Sequence, residues 1–146
     1  MSDTWIRAAH FIAIILMASS LFAEHLLLRR EMAADQIRRL ARIDMMYGVC
    51  ATAVAVFGAI LWLGGVGKPA SFYSANPVFH TKLGLFVFIA LISIYPTVFF
   101  MRHRRSQVTC VVVPGSVLWV VRAELALLLA LPVLAALMAK GVGLAR

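Results

Sequence analysis

The chain has 146 residues, of which 63% are hydrophobic and 14% charged, and its formal net charge is +8. A soluble domain of this length is nearer half apolar, so the composition excludes an ordinary water-soluble globule. The positive charge is gathered beside two connectors between apolar blocks, which argues against nucleic-acid binding as its purpose.

The first apolar block covers residues 5–28 and is interrupted only by Arg7, His10, Glu24 and His25. It is close to the roughly 20 residues that cross about 30 Å of hydrocarbon. It does not read as a cleaved signal peptide. Only Arg7 precedes the apolar core, the strong charge follows it at Arg29 and Arg30, and no A-x-A pattern is present. That charge order suits a helix whose N-terminus is exported. Positions seven apart share a helix face, so His10, Met17 and Glu24 form one stripe.

Residues 29–44 read as a basic, partly helical segment carrying Arg29, Arg30, Arg38, Arg39 and Arg42. The second block, residues 45–66, has no charge. Asp44, Tyr47, Ala51 and Gly58 share a face of it. Gly48, Ala51, Ala55 and Gly58 make it thin-walled, so a neighbour or a flat ligand can approach its backbone. Gly64, Gly65, Gly67 and Pro69 end this helix, and Lys68 is the one basic residue of the second connector.

Asn76-Pro77 predicts a cap and a first-turn proline for the third block, residues 78–101. His80 and Lys82 stand near its start. Being two apart, they point to nearly opposite faces. Pro96 falls inside it and should kink it or free a carbonyl. The third connector carries Arg102, Arg104 and Arg105, and Pro114-Gly115-Ser116 predicts the start of the fourth block, residues 117–139. Arg122 and Glu124 lie in its first turns, also two apart, and Pro132 lies inside it. Eight of the fourteen Lys and Arg residues lie in or beside the first and third connectors. The positive-inside rule therefore predicts both termini on the outer face of a bacterial inner membrane. Anionic lipid headgroups are sufficient partners for the arginines. Cys50 and Cys110 form neither a disulfide framework nor a metal motif.

The expected fold is all-α: one four-transmembrane-helix bundle over residues 1–146. Its function must reside in the polar exceptions, because ionisable groups within lipid are expensive and usually face a bundle interior. His10, His80 and Lys82 lie at one depth. Two nitrogen donors from different helices could hold the iron of a haem b, with His10 and Lys82 as the metal ligands and His80 as a neighbour. The structural alternative places both histidines at the headgroup boundary and lets Lys82 snorkel to water. Glu24, Asp44, Tyr47, Arg122 and Glu124 fall toward the other side, as a proton path or quinone-headgroup site, or as ion pairs that hold the helices in register. No phosphate loop, haem-attachment motif or nucleophile-base arrangement stands out, so catalytic side chains are not assigned. An enzyme of this kind would depend on a bound cofactor.

Trp5-Ile6-Arg7-Ala8-Ala9-His10-Phe11-Ile12 with Leu21-Phe22 resembles the first helix of the HemJ-type protoporphyrinogen oxidases, small bacterial membrane proteins with a haem b in a four-helix core. His80-Thr81-Lys82-Leu83, running on to Tyr95 and a basic helix end, resembles their third helix, and Arg38-Arg39-Leu40 resembles the segment before their second. The resemblance implies His10 and Lys82 as haem-site residues. It covers about half the chain. It departs in the fourth helix, where Arg122-Ala123-Glu124 lacks the family's asparagine, and at Pro96, where the family has histidine. The chain resembles still more a separate family of predicted four-helix bacterial membrane proteins without an assigned function. The expectation is a haem b-binding membrane oxidoreductase, with protoporphyrinogen IX as substrate and quinone as electron acceptor. The alternative is a non-enzymatic subunit that packs against a larger membrane complex or a second copy of itself, binding lipid or haem without turnover.

Overall fold

The four apolar blocks become four long helices in a computed structural model that describes residues 2–65, 69–106 and 109–142. Helix α1 covers Ser2–Leu27, α2 Ala34–Leu63, α3 Ala70–Ser74, α4 Pro77–His103 and α5 Gly115–Ala139. All but the short α3 are long and apolar enough to cross a membrane. The protein is an all-α, four-transmembrane-helix bundle. Helix α1 packs chiefly on α2 and α4 on α5, while α2–α4 and α1–α5 contacts close the ring. Helices α1 and α4 therefore stand diagonally across it.

Helix α2 starts eleven residues before the expected 45, taking in most of the basic segment. The pattern there is amphipathic. Ile37, Leu40, Ala41 and Asp44 are buried, whereas Arg38, Arg39 and Arg42 are exposed. An apolar stripe at this spacing can pack on the bundle as a helix whatever its other face carries. The Gln36 side-chain oxygen accepts the Ala33 N–H at 3.0 Å and helps to close the start.

A small antiparallel sheet was not expected. Strand β1, Glu31–Ala33, pairs with β2, Cys110–Val112, in the register Glu31↔Val112, Met32↔Val111 and Ala33↔Cys110. The Val113 N–H donates to the Arg30 carbonyl at 2.8 Å and extends the pairing. The sheet ties the first connector to the third. Leu28, Met32, Ile37, Leu40, Val111 and Val113 are all buried and plug this end of the bundle. Cys110 is exposed on β2 and Cys50 is buried in α2; both are free thiols.

The helix ends follow local chemistry. The Asn76 side-chain oxygen accepts the Val78 N–H at 2.9 Å with Pro77 behind it, as the sequence predicts. The Asn76 side-chain nitrogen also reaches the Val142 carbonyl at 3.3 Å, linking the ends of α4 and α5. Gly64 ends α2, and Gly65 takes a φ of +63°, open to glycine at little cost. Val66, Gly67 and Lys68 lie outside the described residues. Helix α5 begins at Gly115, within the Pro114-Gly115-Ser116 segment that the sequence marks. Pro114 occupies the cap position with no side-chain hydrogen bond, and Ser116 shares a 2.8 Å hydrogen bond with the Tyr95 hydroxyl. Helices α4 and α5 continue through Pro96 and Pro132.

Candidate functional site

Polar side chains enter the bundle at two levels. At the level of the chain's N-terminus, His10 projects inward from α1 and Lys82 from α4. Both are half-buried, and Lys82 lies close enough to His10 for their charges to interact. The α1 stripe holds as expected: Met17 and Glu24, one and two heptads below His10, are both buried. The imidazole lies beside the Val54 carbonyl of α2, yet its Nδ1 is buried without a well-formed hydrogen bond among the described residues.

Gly58 explains how α2 accommodates that ring. A Cβ built on Gly58 would stand 3.3 Å from His10 Cε1 and 3.9 Å from Nδ1. The bare backbone is the wall on which the imidazole rests. The thin-walled face is therefore narrower than the sequence predicts, because Gly48 and Ala55 are exposed while Ala51 and Gly58 turn inward. Gly58→Leu should push His10 from its position and destabilise the bundle by about 1–3 kcal/mol, the usual effect of overpacking. Thermal melting of the purified variant checks this. An unchanged melt would show that the imidazole gives way freely.

His80 does not join this pair. It is exposed, and its Nε2 lies 2.8 Å from the Ser74 carbonyl, at the end of α3. The two-residue offset sends His80 and Lys82 to different faces, as helical phase requires. Around His80 the chain gathers aromatic groups. Trp62 packs edge-on to Phe79 at 5.0 Å and donates its indole N–H to Ser74 Oγ at 3.0 Å. Tyr73 stands 5.6 Å from Phe79. These side chains suit a membrane boundary.

At the other level, four of the five polar residues converge. Glu24 comes from α1, Asp44 and Tyr47 from α2, and Glu124 from α5; all are buried, Glu24 and Glu124 to 1% exposure. Asp44 and Glu124 are the acidic groups that bear on Glu24. Helix α4 adds Thr97, whose hydroxyl donates to Asp44 Oδ1 at 2.9 Å. Each of the four long helices thus contributes a polar group to the layer. Both Glu24 oxygens, Asp44 Oδ2 and one Glu124 oxygen are buried with no hydrogen-bond partner among the described residues.

Arg122 is absent from this layer. It is exposed, and its guanidinium carbon lies 5.6 Å from the centre of the Trp119 ring. The ion pair that the sequence allowed between Arg122 and Glu24 or Asp44 is not formed. Arg122 sits two residues before the buried Glu124, on a different face, and a long cationic side chain there stacks outward on an aromatic neighbour.

Sequence reasoning missed two features. Thr97 could have been found as a hydroxyl one residue after Pro96, at the depth of Asp44. The second is a groove lined by Arg38, Ala41, Arg42, Met45, Arg104 and Arg105. It could not have been found, because it needs the start of α2 and the end of α4 brought side by side.

Among the described residues no group of three or more His, Cys, Asp or Glu is placed to hold a bare metal ion. The upper pair differs in kind. An imidazole resting against α2 and a lysine on the facing helix supply two nitrogen donors, a set that suits the iron of a haem.

No curated protein and no solved structure matches the chain. One family does, over residues 2–143, which is nearly the whole length, and its description agrees with the four spanning helices found here. The chain belongs to the family of predicted membrane proteins DUF2214.

Proposed function

We propose that this protein is a haem b-binding oxidoreductase of the bacterial inner membrane, acting on a porphyrinogen such as protoporphyrinogen IX and passing electrons to a quinone. One observation carries the reading: His10 and Lys82, on diagonal helices, both turn toward the bundle interior at one depth. The similarity of the short motifs around them to HemJ-type oxidases supports it further.

His10 and Lys82 would hold the haem, which supplies one-electron chemistry when bound. Gly58 leaves room for the His10 ring and fixes where it can sit. The absorption spectrum of the purified protein tests the reading. A Soret band that shifts on reduction is the expected result. A colourless protein, even after expression with added haem precursor, would overturn it in favour of a subunit that works without turnover.

Orientation is part of the proposal. With the arginine-bearing connectors in the cytoplasm, both termini and the His10–Lys82 level face the periplasm. Asp35 and Ser71 are exposed at opposite ends of α2 and its following turn. In a Cys110→Ser background, an impermeant thiol reagent applied to intact cells should label Ser71→Cys and spare Asp35→Cys. Labelling at 35 alone would invert the topology.

A further inference from the structure

The lower layer has no part in holding a haem, yet it gathers three acids where acids are least expected. Asp44, Tyr47 and Glu124 form a buried polar patch with Thr97 beside it. Glu24 projects into that patch from α1, 1% exposed, with both carboxyl oxygens lacking a hydrogen-bond partner. The groups that face Glu24 among the described residues are Asp44 and Tyr47 from α2 and Glu124 from α5, with Thr97 of α4 bonded to Asp44, and none of these is a cation. Arg122 turns outward. Three anions sealed together with no countercharge among the described residues would repel one another and forgo their hydration. Ligation of a bare metal ion by the three acids is not the remedy, because they are not placed to share one.

We propose that Glu24, Asp44 and Glu124 form a proton-binding site within the bundle, holding protons at neutral pH and exchanging them with the arginine-bearing end. A protonated carboxyl becomes a hydrogen-bond donor, so each proton that enters offers a partner to an orphaned oxygen. Intramembrane acids that face a bundle interior serve as proton relays elsewhere. The route outward is the groove lined by Arg38, Ala41, Arg42 and Met45. Ala41 lies three residues before Asp44 and Met45 one after it, so the groove borders the same turn of α2 as Asp44. The plug formed by Met32, Ile37 and Val111 covers the rest of that end.

The site is independent of the haem reading, and a colourless protein would serve equally for its test. Infrared spectra of the wild-type protein in lipid nanodiscs at neutral pH should show the carbonyl stretch of protonated carboxylic acids, shifted by exchange into D2O. Glu24→Gln, Glu124→Gln and Asp44→Asn should each lose part of that band. Dicyclohexylcarbodiimide enters lipid and reacts with protonated carboxyls: the proton passes to a carbodiimide nitrogen, the carboxyl oxygen adds to the central carbon, and the O-acylisourea rearranges to a stable N-acylurea. It should modify one of the three acids and spare the exposed Glu31 and Asp35. The adduct is mapped by mass spectrometry in the wild type, so misfolded variants would not decide the matter. Absence of both the band and the adduct in wild type would show three ionised carboxylates and overturn the proposal. Protection of the adduct site by excess sodium would assign the layer to a metal cation and overturn it also.

Discussion

His10→Ala should abolish or severely deplete bound haem. The side chain is the better of the two nitrogen donors, projecting inward from α1 against the bare backbone at Gly58. Loss of a residue that merely supports a metal ligand costs about 10–100-fold in affinity, so loss of the ligand itself should cost roughly 100-fold or more. Lys82→Ala should deplete haem or move the reduced spectrum, because water or another weak donor would replace the amine. His80→Ala should leave both nearly unchanged. It points about 200° from Lys82 on an ideal helix and is engaged with the Ser74 carbonyl at 2.8 Å. Haem titration followed by absorption checks the series. Full occupancy and an unchanged spectrum in all three variants would end the ligand assignment. A larger effect of His80 than of Lys82 would replace it with a pair of histidines.

The second large effect is on stability. Phe100→Ala should cost about 3–5 kcal/mol, the usual range for emptying a buried aromatic site. Phe100 has 0% exposure near the end of α4 and belongs to the same core cluster as Met32, Ile37 and Val111. Phe88→Ala, in the same helix, should stay within about 0.5 kcal/mol. That ring is 51% exposed and faces outward, where lipid or detergent fills the space it leaves. Thermal melts of the two variants in one detergent make the comparison. Equal losses would mean that the outward face of α4 is packed against another protein surface.

The contrast between these two phenylalanines has a physical cause. In water, a hydrophobic residue marks the inside of a helix. In lipid the outside is apolar too, and helices associate through packing and polar contacts rather than by hiding apolar surface. Phe88 and Phe100 are the same residue type in one apolar run, and nothing in that run says which is enclosed. Met17, buried in α1, and Phe11, exposed in it, make the same point.

The membrane setting, the four spanning helices, the Asn76 cap and the angular relations along each helix follow from residue order and composition. His10, Met17 and Glu24 share a face because they are seven apart. His80 parts from Lys82, and Arg122 from Glu124, because they are two apart. Tertiary structure alone decided how each helix is rotated against its neighbours. Lys82 faces inward rather than His80, and Glu124 rather than Arg122, because the ring order of α1, α2, α4 and α5 assigns one face of each helix to the interior. It also brought residues 31–33 beside 110–112 and moved the start of α2 back to Ala34. Helical periodicity relates residues within one helix, whereas contacts between distant segments arise only when the chain packs. The meeting of Glu24, Asp44, Thr97 and Glu124 is such a contact, made by one residue from each of the four long helices.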